Sequence, residues 1–138
     1  MKKFLKIFLI VLTGTLAVGA AWGAQTPETF KATLDSNGIQ KVEVLAGSYF
    51  FKPSYIIVKL NVPVELTIRK EAGATPHDIV ISAPEAGINV QESLGTEPKV
   101  IKFTPTKVGK YPFYCDKRFL FFKSHRERGM EGTLEVIE

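Results

Sequence analysis

The sequence of 138 residues is poor in side chains that form disulfides or bind soft metal ions: one cysteine, two histidines and two methionines, of which one is the initiator. A lone cysteine cannot form a disulfide within the chain, so Cys115 is an unpaired thiol, a small core side chain or a metal ligand. The sequence also lacks a phosphate-binding glycine loop and a paired nucleophile and base. These absences give no support to nucleotide chemistry or to nucleophilic catalysis.

The chain begins with a basic and then apolar segment. Lys2, Lys3 and Lys6 precede an almost unbroken apolar run over residues 7–21, which small residues follow. This pattern predicts a secretory signal helix at residues 1–24 and a domain at 25–138, in the periplasm or secreted. The run is close to the ~20 residues of a membrane helix, so an uncleaved anchor at the outer face of the inner membrane is the alternative. A membrane is an expected partner only if the leader stays uncleaved.

The charge balance excludes some partners. The formal net charge is +4, and the three lysines of the leader account for three of these charges, so residues 25–138 carry +1. Nothing in that balance suggests nucleic acid or a strongly anionic bulk partner. The remaining length suits one domain, which we expect to be monomeric.

Short alternating segments separated by turn signals predict an all-β domain of seven or eight strands. Residues 64–70 alternate cleanly, with Val64, Leu66 and Ile68 inward. Asn61 lies in a predicted turn and is among the few residues that tolerate a left-handed backbone. We predict residues 83–98 to be a long connection with a helical turn. Further strands are predicted at residues 40–45, 55–59, 78–82, 99–103 and in the segment that ends at Cys115.

Four potential ligands remain to be placed: His77, Cys115, His125 and Met130. One thiolate, two imidazoles and one thioether form the donor set of a mononuclear blue-copper site. His77 stands alone in the sequence, and the other three cluster. Taken singly, His77 would more often be a hydrogen-bonded core histidine and Met130 a core residue. Zinc is the main rival metal, since it also binds cysteine and histidine.

Four segments carry a resemblance to the cupredoxin family, the plastocyanin and azurin group of small copper proteins: residues 58–64 (VKLNVPV), 76–78 (PHD), 109–115 (GKYPFYC) and 130–136 (MEGTLEV). The resemblance implies a Greek-key antiparallel β-sandwich with one copper ion on His77, Cys115, His125 and Met130. Two features depart from the family pattern. Nine residues separate Cys115 from His125, a longer spacing than usual, and Asp78 stands where asparagine is common.

The segment around Cys115 also predicts a docking surface for a redox partner protein. Strand alternation places Cys115 on one face with Phe113, and Tyr114 on the other. In plastocyanin-like proteins a similarly placed tyrosine lies where partners dock, which implies that role for Tyr114. The insert 116–124 is a helical turn whose aromatic side chains pack on the sandwich, or it adds Arg118 and Phe119, with nearby Arg126, to a basic surface that steers an acidic partner.

The function that these patterns favour is one-electron transport by an exported copper protein that is not an enzyme. One alternative is copper handling, that is, the buffering or delivery of copper without electron transfer. Another is a non-redox binding module, like those accompanying some bacterial iron-uptake proteins. Nitrite reductases need more histidines for a second copper, and the binuclear centre of terminal oxidases needs two cysteines. With two histidines and one cysteine, the chain can form neither.

Overall fold

The computed structural model describes residues 27–138, and the predicted signal segment lies outside them. No helix in this described part is long and apolar enough to cross a membrane. The described residues form strands and two short 3₁₀ helices, Pro84–Ala86 and Arg126–Arg128. The strands are β1 (Thr29–Lys31), β2 (Gln40–Gly47), β3 (Phe50–Lys52), β4 (Tyr55–Lys59), β5 (Val64–Lys70), β6 (His77–Ala83), β7 (Ile88–Leu94), β8 (Lys99–Phe103), β9 (Gly109–Tyr114) and β10 (Glu131–Ile137).

Two sheets form the sandwich. One has six strands in the order β1-β4-β10-β9-β6-β7, and the other has four in the order β3-β2-β5-β8. The predicted all-β sandwich is thereby confirmed. The sheets are mixed rather than wholly antiparallel, because β4 runs parallel to β1 and β10, and β2 runs parallel to β5. The chain crosses repeatedly from one sheet to the other, so many neighbours within a sheet are not consecutive in sequence.

Strand alternation builds the core between the sheets. In β5, Val64, Leu66 and Ile68 are buried as predicted, and the residues between them are more exposed. In β9 and just after it, Tyr111, Phe113 and Cys115 are buried on one face, which confirms the predicted register. Burial of this apolar face is the dominant favourable contribution to folding.

A buried amide joins the sheets at the end opposite Cys115. Gln40 is fully buried, and its Nε2 donates to the carbonyl oxygens of Lys59 (3.1 Å) and Val62 (3.2 Å). Its Oε1 accepts from the Lys59 N–H at 2.6 Å. The adjacent turn contains Asn61 with a φ of 56°, so the left-handed conformation predicted there is confirmed.

The prediction for residues 83–98 was wrong in part. The helical turn is present at Pro84–Ala86, but Ile88–Leu94 is a strand that pairs with β6 along seven residues. Ile88, Val90 and Leu94 are buried, and polar residues occupy the outward face. Those polar residues and the flanking prolines and glycines masked the two-residue period in the sequence. The extra strand makes β6 an interior strand, which fixes the position of His77.

Candidate metal centre

His77 is the first residue of β6 and is buried. The strand is held on both sides, because His77 pairs with Leu94 of β7 and Val80 pairs with Tyr114 of β9. Pro76 restricts the preceding backbone. The imidazole is therefore presented by a rigid strand end rather than by a free loop.

Cys115 follows β9 directly and is completely buried. Its backbone N–H donates to the Met130 carbonyl at 3.1 Å, and the Asp78 N–H points at its sulfur at 3.5 Å. The thiol is thus fixed between the strand that carries His77 and the strand that follows Met130.

A few backbone bonds set the position of His125 despite the long insert. The His125 N–H donates to the Lys117 carbonyl at 2.8 Å, and the Met130 N–H donates to the His125 carbonyl at 3.0 Å. The first bond closes the base of the insert, so residues 118–123 project from the end of the sandwich without displacing His125. The departure in spacing therefore lengthens the projecting loop and leaves the ligands together.

The two imidazoles and the thiol converge. Cys115 Sγ lies 4.0 Å from His77 Nδ1 and 3.4 Å from His125 Nδ1, and the two nitrogens are 3.2 Å apart. A point equidistant from the three atoms lies about 2.1 Å from each, close to protein metal–nitrogen bonds of about 2.0–2.1 Å and metal–sulfur bonds of about 2.3 Å. Soft thiolate with two imidazoles suits copper. The donor set and its size therefore fit one copper ion.

Met130 lies beside both ligands of the loop. It is completely buried, and its backbone is bonded to His125 through its N–H and to Cys115 through its carbonyl. Its role as a copper ligand stays a prediction, since its burial is also that of a core methionine.

Asp78, the residue after His77, bonds the segment that follows Cys115. Its Oδ1 accepts from the Asp116 N–H at 2.9 Å, and its Oδ2 lies 3.4 Å from Lys117 Nζ. Burial alone would raise the pKa of this carboxyl, but the hydrogen bonds from Asp116 and Cys115 and the Lys117 ammonium bring it below its usual range. An aspartate therefore cross-links the two ligand-bearing segments, where the family pattern has an asparagine.

Burial controls the protonation of the ligands. It raises the pKa of the Cys115 thiol to about 11, although N–H groups of Asp78 and Lys117 oppose the shift. It lowers the pKa of His77, with a further effect of His125, and it lowers that of His125, with a further effect of Arg128. The imidazoles are therefore neutral and ready to bind a metal near pH 7, whereas the thiol must release its proton when a metal binds.

Tyr49 is a residue of this site that the sequence did not reveal. Its ring meets the His125 ring edge-on with centroids 5.1 Å apart, and the Arg128 guanidinium lies 4.9 Å from the Tyr49 centroid. Tyr49 has a φ of 70°, an uncommon value for a residue other than glycine. Gly47 and Ser48, which precede it, indicate only that the chain turns there.

The predicted docking residues lie on two flanks of the site. On one, the Arg126 guanidinium lies 4.0 Å from the centroid of the half-buried Tyr114 ring and forms an ion pair with Glu131 at 3.0 Å. On the other, Arg118 forms an ion pair with Glu127 at 3.1 Å, next to exposed Phe119. The structure thus surrounds the site with these residues, and their role in docking stays a prediction.

The insert 116–124, which we call the aromatic loop, leaves its apolar side chains in solvent. Phe119 and Leu120 are each 68% exposed, Phe121 is 84% exposed and Phe122 is 47% exposed. The interpretation in which these aromatics pack on the sandwich was therefore wrong. The backbone turns at Leu120, where φ is 49°, and this turn directs the tip outward. A cavity of about 510 Å³ beneath the loop is lined in part by Phe119, Phe122 and His125.

Comparison with known proteins places this geometry in context. A family model described as a cupredoxin-like domain matches residues 9–134. The chain is 30% identical to the metal-binding domain, with Cu(I), of the Cu(I)-exporting P-type ATPase CopA of Streptococcus pneumoniae D39; the match covers 82% of this chain and 99% of that one, with a TM-score of 0.62. No curated protein sequence matches.

Two more distant structures share the fold. A copper-binding protein in its apo form is 24% identical, over 81% of this chain and 100% of that one, with a TM-score of 0.59. Reduced auracyanin from Roseiflexus castenholzii is 18% identical, over 71% and 97%, with a TM-score of 0.55.

Proposed function

We propose that this chain, which belongs to the cupredoxin-like family, is an exported one-electron carrier with a single copper ion. The observation that supports this proposal best is the triangle of His77 Nδ1, Cys115 Sγ and His125 Nδ1, which is the size of one metal's coordination shell. In the proposal Met130 would hold the ion as a fourth ligand through its thioether sulfur.

The chain's contribution is to hold these donors still. When bound, copper supplies a one-electron couple between Cu(I) and Cu(II). His77 is held by an interior strand, and Cys115, His125 and Met130 are held to one another by backbone hydrogen bonds. A donor set fixed in this way changes little between the two charge states, so that little reorganisation opposes electron transfer.

The partner in this proposal is an acidic redox protein that docks at the copper end. Tyr114 is adjacent to the thiolate ligand in the chain and reaches the surface, where Arg126 covers its ring. Arg118 and Phe119 extend the surface on the other flank. We infer that the protein is a carrier rather than an enzyme, that it is monomeric, and that residues 1–24 direct it to the periplasm or beyond, or keep it as an anchor.

Copper handling is the second candidate function. It is favoured by the 30% identity to the metal-binding domain of a Cu(I)-exporting ATPase, a domain whose structure contains Cu(I). A handling protein needs to hold Cu(I) and release it to a partner, and it does not need to hold Cu(II) in the same site. A non-redox module would retain copper in neither state.

Repeated reduction and reoxidation of the copper-loaded full chain distinguishes these functions. A carrier keeps one copper ion per chain through many cycles, whereas a handling protein retains Cu(I) and loses copper on oxidation. Tyr114→Leu is the matched variant for docking, since it leaves all four proposed ligands in place. We expect it to keep the spectrum and to slow electron transfer to an acidic partner; an unchanged rate would remove Tyr114 from the docking surface.

A further inference from the structure

The aromatic loop carries a contiguous apolar patch at the copper end. The rings of Phe119 and Phe122 stack with centroids 6.1 Å apart, and those of Phe121 and Phe122 with centroids 4.8 Å apart. Together with Leu120 they form one exposed cluster at the tip of a projecting loop. Large exposed clusters of this kind, rimmed by polar residues, mark surfaces that bind a partner or a membrane.

The rim of the cluster is basic. The segment from residue 116 to residue 128 carries five cationic side chains. Three of them form ion pairs: Lys117 with Asp78, Arg118 with Glu127 and Arg126 with Glu131. The other two, Lys123 and Arg128, form no ion pair within the described part of the chain. An apolar tip with lysine and arginine around it is the composition of elements that lie in the interface of an anionic bilayer. The cationic side chains are Lys117, Arg118, Lys123, Arg126 and Arg128.

The course of the chain brings its leader to the same end. β1 begins at Thr29, which pairs with Tyr55, and Tyr55 pairs with Thr133 of β10. Thr133 in turn pairs with Pro112, near the end of β9 from which Cys115 follows. Glu28 shares a surface groove with Gly129 and Glu131, close to the ligand loop. Residues 1–26, with their long apolar run, therefore join the domain at the end that carries the aromatic loop.

From these three observations we propose that the aromatic loop inserts its four apolar side chains into the interfacial region of an anionic bilayer, so that the copper end of the domain faces the membrane. The basic rim contacts the lipid phosphates. If the leader is retained, loop and leader hold the domain in one orientation; if it is removed, the loop alone gives a weak, reversible and salt-sensitive attachment. The inference does not rest on copper and goes beyond the proposed function. Where the loop is inserted, Arg118 and Phe119 contact lipid instead of a redox protein, so a partner is met in the plane of the membrane on the other flank, at Tyr114.

The test places a fluorescent reporter at the tip of the loop. The full chain has one tryptophan, Trp22, which is replaced in a Trp22→Phe background. Phe121→Trp then reports on the loop, and Val108→Trp is the matched control, because Val108 is also exposed but precedes the opposite end of β9. Both variants are mixed or reconstituted with vesicles that contain brominated phosphatidylcholine, with and without phosphatidylglycerol, and circular dichroism confirms that each is folded.

We expect the tryptophan emission of Phe121→Trp to shift to the blue and to be strongly quenched in vesicles with phosphatidylglycerol. Salt should reverse both effects where the leader is removed. Val108→Trp should show neither effect. Lys123→Ala, on the Phe121→Trp background, should lower the vesicle partition coefficient of the processed chain about fivefold. Absence of quenching at residue 121 in every vesicle would overturn the proposal. So would a blue shift without lipid that accompanies dimer formation in sedimentation, since the loop would then bind a second copy.

Discussion

Stability at alkaline pH offers a direct test of how deeply the ligand thiol is buried. The perturbation is Cys115→Ser in the metal-free protein, compared with the wild type between pH 8 and pH 11. Cys115 is completely buried, and its pKa rises from an ordinary value of 9.0 to about 11 in the folded state. In the unfolded chain the thiol has its ordinary pKa.

The direction in which the free energy of unfolding changes with pH follows from the number of protons that each state binds. Between the two pKa values the unfolded chain releases the thiol proton and the folded protein keeps it, so the free energy of unfolding falls as pH rises through this window. A difference of about 2 pKa units corresponds to a loss of about 3 kcal/mol. Cys115→Ser removes this titration, and all other side chains are the same in the two proteins, so the comparison isolates the thiol.

The assay is urea unfolding followed by circular dichroism at a series of pH values, with chelator and reductant present. The wild type should lose about 2 kcal/mol more than Cys115→Ser between pH 8 and pH 11, since the full loss is reached only above the pKa of the folded state. Copper should abolish this additional loss, because a coordinated thiol is already deprotonated. Parallel stability curves for the two metal-free proteins would refute the reasoning, since they would mean that the thiol is not shielded from solvent.

Three further predictions concern single side chains. Met130→Ala should cost about 2–5 kcal/mol in the free energy of unfolding through the cavity it leaves, and Met130→Leu less than about 1.5 kcal/mol; both should change the Cu(II) absorption spectrum, and an unchanged spectrum would show that Met130 is not a ligand. Gln40→Leu leaves backbone groups of Lys59 and Val62 without partners and should cost at least about 2 kcal/mol by urea unfolding, with the copper spectrum unaltered because Gln40 lies at the far end of the sandwich. Asn61→Ala should cost about 1–2 kcal/mol, since alanine resists the φ of 56° that Asn61 adopts, and Asn61→Gly should cost less; equal losses for both would argue against backbone strain as the cause.

Where side chains alternate without interruption, the sequence predicted the fold well. The predicted bounds of the segments 55–59, 64–70 and 99–103 coincide with β4, β5 and β8, because one face of each strand is apolar and turn residues flank it. Among the strands that were not predicted from the sequence, β1 and β7 show the physical reason. β1 has only three residues, all exposed, and thus no apolar period to detect. β7 hides its buried residues among polar ones and lies between turn-forming prolines and glycines.

The candidate site, like the fold, could be predicted only in part from the sequence. The residue types of His77, Cys115 and His125 pointed to one metal, and the structure brings them together. Their meeting depends on backbone bonds such as that from His125 N–H to the Lys117 carbonyl, and such a bond leaves no mark in the sequence. The contact of Tyr49 with His125 and the exposure of Phe121 likewise depend on how the loops fold back, which composition alone does not determine.

Titration of the metal-free protein with Cu(II), followed by visible absorption, tests the central claim most directly. We predict an intense charge-transfer band from the Cys115 thiolate that saturates at one copper per chain and is absent in Cys115→Ser. Binding without such a band, saturation at more than one equivalent, or a band that persists in Cys115→Ser would contradict a single copper centre built on His77, Cys115 and His125.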